Sequence, residues 1–174
     1  MGLKKDKIGI LGGSFDPAHK GHLAISKEAL KRFKLKKIIW AITKRNPFKK
    51  ISNVSLLNRI RYCKKIIDKN NFIKVKFYED IIRSNKTINL IKYLNRNKKK
   101  NEFYFLMGAD NLINFHKWYK WEAISQKCSI IVFDRHGYKK KSLNSTTYKR
   151  LDKKNLKFVK FNKVNISSSK LRKI

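Results

Sequence analysis

The sequence predicts an α/β fold, a doubly wound parallel sheet with helices on both faces, and three observations predict it. Short apolar runs alternate along the chain with segments whose apolar residues recur at helical spacing. A glycine-bearing turn, GILGGSFDPAHKGH at 9–22, joins the first such run to the first such segment. Three polar motifs follow predicted strands, at the carboxyl ends where an open sheet of this kind binds its ligands.

The first strand is KIGILG at 7–12, an apolar run ending in glycine. Beyond the Asp16-Pro17 turn, Leu23, Ala24, Ala29, Leu30 and Phe33 recur at near-helical spacing and predict the first helix. KIIWAIT at 37–43 is the second strand, and TKRNPFKKISN after it is a basic loop broken by Pro47. Ser55 is placed to cap a helix whose apolar face holds Leu56, Ile60, Cys63 and Ile67. IKVKFY at 73–78 is a strand and TINLIKYLNRN at 87–97 a helix. EFYFLMGAD carries a buried strand into a turn, ahead of helical sequence containing Trp118 and Trp121. CSIIVFDR at 128–135 and KFVKFN at 157–162 are the last strands, and a short helix from Ser168 closes the chain. The segment 139–155, KKKSLNSTTYKRLDKKN, reads as mobile surface. Such alternation argues for a Rossmann-like arrangement of parallel strands with helical crossovers. No internal repeat or second domain is visible, so residues 1–174 are read as one domain.

Composition sets the outer limits. A hydrophobic fraction of 41% with 12% aromatics fits a folded chain rather than a disordered one. The formal charge of +34, from 45 basic and 11 acidic residues, attracts polyanions: nucleic acid, anionic membrane or small phosphorylated substrates. The bases are scattered, and Lys, Ile, Asn, Phe and Tyr are abundant together while Ala, Gly and Pro are scarce. That pattern reflects compositional drift as much as a partner, so the charge identifies no function by itself. Cys63 and Cys128 match no metal or redox spacing and read as buried thiols in a reducing cytosol. With no signal-like start and no apolar run long enough to span a bilayer, the expectation is a cytoplasmic protein without a membrane partner.

The turn at 9–22 carries chemistry. Gly12 and Gly13 give φ freedom and let a phosphate approach the backbone. Asp16-Pro17 makes a rigid turn able to start a helix, whose N-terminus directs N–H groups and partial positive charge at an anion. His19 and His22, three apart, share a face at that helix start and can donate to phosphoryl oxygens. Taken alone, such a pair is better explained by capping and packing, and no third ligand accompanies it for a metal. The glycines, Asp-Pro and second Gly-His in one strand-to-helix turn shift the balance to a phosphate site.

GSFDPAHKGH resembles the G-x-F-D-P-x-H-x-G-H motif of the nucleotidyltransferase superfamily with the H-x-G-H signature, and ISSSKLR at 166–172 resembles its C-terminal I-S-S-T-x-[IL]-R motif. MGADNLINFHKWYKWEAI at 107–124, followed by IIVFDRHG, is similar to the G-A-D-N-L, W-x-x-W and R-P-G segments of bacterial nicotinate-nucleotide adenylyltransferases. TKRNPFK resembles their N-P-x-K loop and KTINLIKYL their Y-T-x-D-T-L segment, so the likeness spans Gly9 to Arg172. The resemblance implies adenylyl transfer from ATP, with Mg²⁺, to nicotinate mononucleotide. It implies that His19, His22, Ser167, Ser168 and Arg172 surround the ATP phosphates, with Gly12, Gly13, Ser14, Phe15 and Lys49 lining the same site. Thr87 would help hold the nicotinate carboxylate, Asp110 would lie near a ribose, and Trp118 would stack on the pyridine ring.

On residue type alone, Asp110 serves equally well as a helix cap, Trp118 and Trp121 read as core, and Ser167 to Ser169 and Lys49 have plain alternatives as N-cap residues and a solvated lysine. The chain also departs from the family pattern at Lys86, Asn89, Leu90 and His136, and Ser169 stands for Thr. Pantetheine-phosphate adenylyltransferases, of the same superfamily, usually have Thr-x-Gly-His in the first motif, continue well beyond the serine motif and lack the GADN/W-x-x-W block. The rival from another class, a basic nucleic-acid-binding protein, needs a stacking or groove-reading module, and none is visible. Nonspecific polyanion binding is expected as a side effect of charge, and homo-oligomer formation is left open.

Overall fold

The computed structural model describes residues 5–46, 52, 54–161 and 171. Their elements run β1 (Asp6–Gly13), α1 (Lys20–Arg32), β2 (Lys37–Ile42), α2 (Leu56–Ile67), β3 (Ile73–Phe77), α3 (Glu79–Ile82), α4 (Thr87–Asn97) and β4 (Asn101–Gly108). They continue with α5 (Ala109–Asn114), a 3₁₀ turn (Phe115–Lys117), α6 (Trp121–Lys127), β5 (Ser129–Phe133), α7 (Lys139–Leu143), α8 (Thr146–Arg150) and β6 (Leu156–Val159). All pairings are parallel and make a six-stranded sheet in the order β3-β2-β1-β4-β5-β6. This is the doubly wound, Rossmann-like arrangement that the sequence predicts. The winding direction reverses between β1 and β4, which opens a crevice beyond their carboxyl ends, at Gly13 and Gly108.

Helices cover both faces of the sheet, so its central strands are apolar on both sides rather than alternating. In FYFLM at 103–107, Phe103, Phe105 and Met107 enter one core while Tyr104 and Leu106 enter the other. Ile88, Ile91 and Leu94 of α4 close the first core, and Ala29 of α1 with Cys63 of α2 join the second. Each fully buried Ile, Leu or Phe contributes roughly 1.5–3 kcal/mol. Gly9 is demanded by this packing: a Cβ there would lie 2.6 Å from Ile38 Cδ1 and 3.1 Å from Leu35 Cδ1.

Local rules explain the helix ends. Helix α1 stops in a turn where Lys34 takes a φ of 51° and the Leu35 N–H donates to the Leu30 carbonyl at 3.0 Å. Ser55 caps α2, its hydroxyl accepting from the Asn58 N–H at 3.2 Å, as its position in sequence suggests.

Two local expectations are corrected. Pro17 does not open the first helix: Asp16-Pro17 is a cis peptide, Phe15 before it has a φ of 47°, and α1 begins at Lys20 behind His19. The segment 139–155 is not a loose surface loop. It folds as α7 and α8, with Ser142 and Thr147 fully buried and Leu151 4% exposed. Ser145 caps α8 through the Tyr148 N–H, and the Thr147 hydroxyl accepts the His116 N–H at 3.0 Å. Buried hydroxyls, each paired, do the anchoring that apolar residues do elsewhere, which hides the segment from an apolar pattern.

Candidate active site

The crevice between β1 and β4 is a cavity of about 640 Å³. Gly12, Gly13, Ser14, Phe15, His19 and His22 line it from the first motif, and Thr87, Asp110 and Trp118 from later elements. These nine predicted site residues, distant in sequence, therefore share one cavity. Lys49, Ser167, Ser168 and Arg172 lie outside the described residues, as does the helix predicted from Ser168. The cavity also takes in Arg45, Asn46, Asn111, Arg135 and Tyr138, which sequence reasoning did not single out.

Neither Gly12 nor Gly13 uses a positive φ; both are extended at the end of β1, and a Cβ at Gly12 would press to 3.3 Å from the Phe105 ring. His19 is the N-cap of α1, and its Nδ1 accepts the Gly21 N–H at 3.1 Å. His22 returns the arrangement, its Nδ1 accepting the His19 N–H at 3.1 Å. Capping and ligand binding are thus not alternatives here. A nitrogen that accepts a hydrogen bond carries no proton, so a neutral ring at either position would hold its proton on Nε2, across the ring from the cap. The pair presents two N–H donors at a helix N-terminus, with ring centroids 3.8 Å apart.

The His22 ring has a firm backing. Phe15, 2% exposed, lies 4.8 Å from it and stacks on Trp40 at 4.9 Å with an 18° interplanar angle. The Trp40 Nε1–H donates to the Ser26 hydroxyl at 2.9 Å, and that hydroxyl donates to the His22 carbonyl at 2.8 Å. Trp40 and Ser26 are both fully buried. A serine on the inner face of α1 and a tryptophan in β2 were the only sequence signals of this support.

Asp110 is not a helix cap. The N-cap of α5 is Gly108, without a side-chain cap bond, and Asp110 Oδ2 instead accepts from Arg135 Nη1 at 2.6 Å. Both side chains are one-quarter exposed, so the pair stands at the cavity wall rather than in the core. Arg135 is covered in turn by the Tyr138 ring, 5.6 Å from its guanidinium carbon. Trp118 meets Phe105 edge-on at 6.0 Å and Phe115 at 5.1 Å, leaving it half-buried between core and cavity. Thr87 is the first residue of α4, whose N-cap Lys86 makes no side-chain cap bond. At the rim, Lys44 straps the end of β2 to α3, its Nζ 2.6 Å from Asp80 and its N–H donating to Glu79 at 3.2 Å.

The chain matches the cytidylyltransferase-like family model over residues 10–174. It is 68% identical over 174 residues to the protein named "Probable nicotinate-nucleotide adenylyltransferase" of Pelagibacter ubique (strain HTCC1062), covering all of this chain and 96% of the relative. A protein of the same name from Bradyrhizobium sp. (strain ORS 278) is 36% identical over 145 residues, 83% of this chain and 76% of the relative. Among solved structures, Plasmodium falciparum nicotinic acid mononucleotide adenylyltransferase complexed with NaAD superposes with a TM-score of 0.82 at 22% identity, over 97% of this chain and 83% of that one. The same enzyme complexed with APC gives a TM-score of 0.80 with the same coverage. Likeness at that identity establishes the fold.

Proposed function

Because the chain belongs to the cytidylyltransferase-like family, and within it to the nicotinate-nucleotide adenylyltransferases, we infer that its cavity transfers an adenylyl group from ATP to nicotinate mononucleotide. The products are pyrophosphate and nicotinate adenine dinucleotide, a step of NAD biosynthesis. The observation that carries the reading is the meeting of His19 and His22 with Thr87, Asp110 and Trp118 around one cavity at the switch point of the sheet.

The attacking group is the 5′-phosphate of the mononucleotide, whose second pKa of about 6 makes it largely a dianion at neutral pH, so no general base is required. One P–O bond forms at the α-phosphorus while the bond to the leaving pyrophosphate breaks. The protein's task is in-line positioning and stabilisation of the charge that grows on the leaving group. The Nε2–H groups of His19 and His22 and the start of α1 supply donors for that charge. Lys49, Ser167, Ser168 and Arg172 are proposed to complete the phosphate shell. Thr87, at a helix start lacking a side-chain cap, suits the nicotinate carboxylate, and Trp118 presents an aromatic surface for the pyridine ring. Asp110, held by Arg135, offers a carboxylate oxygen to a ribose hydroxyl.

Mg²⁺ is proposed to enter as the MgATP substrate, held mainly by phosphate oxygens and water. Among the described residues no group of three His, Cys, Asp or Glu side chains gathers around a metal-sized space, and the donors of the cavity suit phosphate rather than a protein-built cage. Among the described residues no helix is long and apolar enough to cross a membrane. A cytoplasmic setting is proposed for the reaction, in keeping with its nucleotide substrates.

Pyrophosphate release with MgATP and nicotinate mononucleotide, nicotinamide mononucleotide or 4′-phosphopantetheine, each offered alone, tests the reading. A marked preference for the first supports it. Turnover with phosphopantetheine alone keeps adenylyl transfer and overturns the substrate, and silence from folded protein overturns the activity.

A further inference from the structure

Arg59 is 3% exposed, whereas Arg61, Lys64 and Lys65 of the same helix are exposed. Among the described residues its guanidinium makes four hydrogen bonds, all to backbone carbonyls. Nη1 donates to Ser14 at 2.6 Å and to Thr43 at 2.9 Å, Nη2 to Lys44 at 2.9 Å, and Nε to Val54 at 3.2 Å. Among the described residues no carboxylate forms an ion pair with it, although Glu79 feels its charge. Burying a guanidinium carries a desolvation cost that hydrogen bonds to carbonyls offset only in part.

That geometry joins two loops. Ser14 follows β1 and belongs to the histidine turn, while Thr43 and Lys44 follow β2 and lead into the basic loop. Ser14 and Thr43 both line the cavity. One rigid fork holds the two segments at a set separation, which a lysine, with a single ammonium, cannot reproduce.

We propose that Arg59 is a positioning residue for the transfer, fixing the loop after β1 against the loop after β2 so that the two reacting phosphates meet in line. The inference rests on the adenylyl-transfer reading above. Each loop keeps its own contacts to substrate without Arg59; what is lost is their mutual register. The loss therefore falls on kcat, and on ligands that span both loops, rather than on the affinity of either substrate alone.

The test compares the parent protein with Arg59→Lys, each assayed well below its melting midpoint. The expected result is a kcat lowered about 10²-fold, with KM for ATP and for nicotinate mononucleotide each within about threefold. Calorimetry should show nicotinate adenine dinucleotide losing more affinity than ATP or the mononucleotide. Arg59→Ala with added ethylguanidinium is the second arm, in which part of kcat returns while KM stays put. Parent-like kcat in folded Arg59→Lys, or activity that falls only in proportion to the folded fraction, overturns the inference and leaves the reading intact. A parent that turns over no mononucleotide and binds no dinucleotide overturns both.

Discussion

His19 and His22 together cap one helix start: the Nδ1 of His22 accepts the His19 N–H while the Nδ1 of His19 accepts the Gly21 N–H, with the ring centroids 3.8 Å apart. One nitrogen of each ring holds the backbone, and that bond decides where the remaining proton sits. Structural and chemical roles are therefore carried by opposite edges of the same side chain.

His22→Ala should accordingly lower kcat by about 10²-fold or more, as expected for losing a preorganised donor to a developing charge. Stability should fall by only about 0.5–2 kcal/mol, the cost of a lost cap. Steady-state pyrophosphate release and urea denaturation measure the two separately. A folded variant working near the parent rate removes His22 from the proposed chemistry.

Asp110 and Arg135 should behave as one unit. Asp110→Asn and Arg135→Met are each expected to reduce kcat/KM about tenfold, and the double variant to lose little more, because partners in contact are not additive. Stability should change by about 1 kcal/mol or less, since both groups remain partly solvated. Full additivity in the cycle would show that the two residues act independently.

What sequence could and could not disclose follows from the physics of each signal. The strands were visible because a sheet covered on both faces needs unbroken apolar runs such as FYFLM at 103–107. Helix α4 was visible from end to end because Ile88, Ile91 and Leu94 recur on one face. The histidine turn stood out because its rare residue types are local in sequence. Arg59 did not, because an arginine on a helix is ordinarily solvated and only the folded chain brings Ser14, Thr43 and Lys44 to it. Trp40 and Ser26 were equally silent, being joined by a bond between two elements. Among the described residues, α7 and α8 escaped because five-residue helices are too short to establish a period.

The Trp40–Ser26 bond supports His22 from behind, and breaking one end should leave a buried polar group unmatched. Ser26→Ala is expected to destabilise the fold by about 1–3 kcal/mol, the penalty for stranding the Trp40 N–H. Trp40→Phe should do less if Ser26 keeps its bond to the His22 carbonyl. Thermal and urea midpoints rank the two, and a reversed order would mean that ring volume outweighs the hydrogen bond.

Burial pushes the thiols of Cys63 and Cys128 up to about 12, in Cys63 against the opposing pull of Arg59. At pH 8 the thiolate fraction of either is on the order of 10⁻⁴. Iodoacetamide should label neither in the native protein and both after denaturation, as followed by intact mass. The sign for stability is fixed by the same shift. A thiol that resists ionisation only when folded supports the fold below its ordinary value of 9.0 and loses that support as pH climbs toward 12. Rapid native labelling of one cysteine would place it nearer solvent than its packing allows.

Two glycines separate folding from chemistry. A Cβ at Gly9 would lie 2.6 Å from Ile38 Cδ1, with Leu35 and Leu106 at 3.1 and 3.2 Å, so the branched chains of the core have little room to move aside. Gly9→Ala should destabilise the protein by about 1–3 kcal/mol, the range for overpacking, while the surviving folded enzyme keeps its kcat. At Gly108 the neighbour is the end of a side chain, Asp110 Oδ1 at 2.5 Å, and the backbone there, φ −80° and ψ 157°, accepts any residue. Gly108→Ala should therefore fold almost normally but swing the Asp110 carboxylate off Arg135, lowering kcat/KM toward the level of Asp110→Asn. Melting midpoints beside kcat/KM for both variants give a crossed pattern if Asp110 is placed for function. If Gly108→Ala kept full activity, the position of the Asp110 carboxylate would be irrelevant to the reaction, and its pairing with Arg135 would be a matter of folding alone.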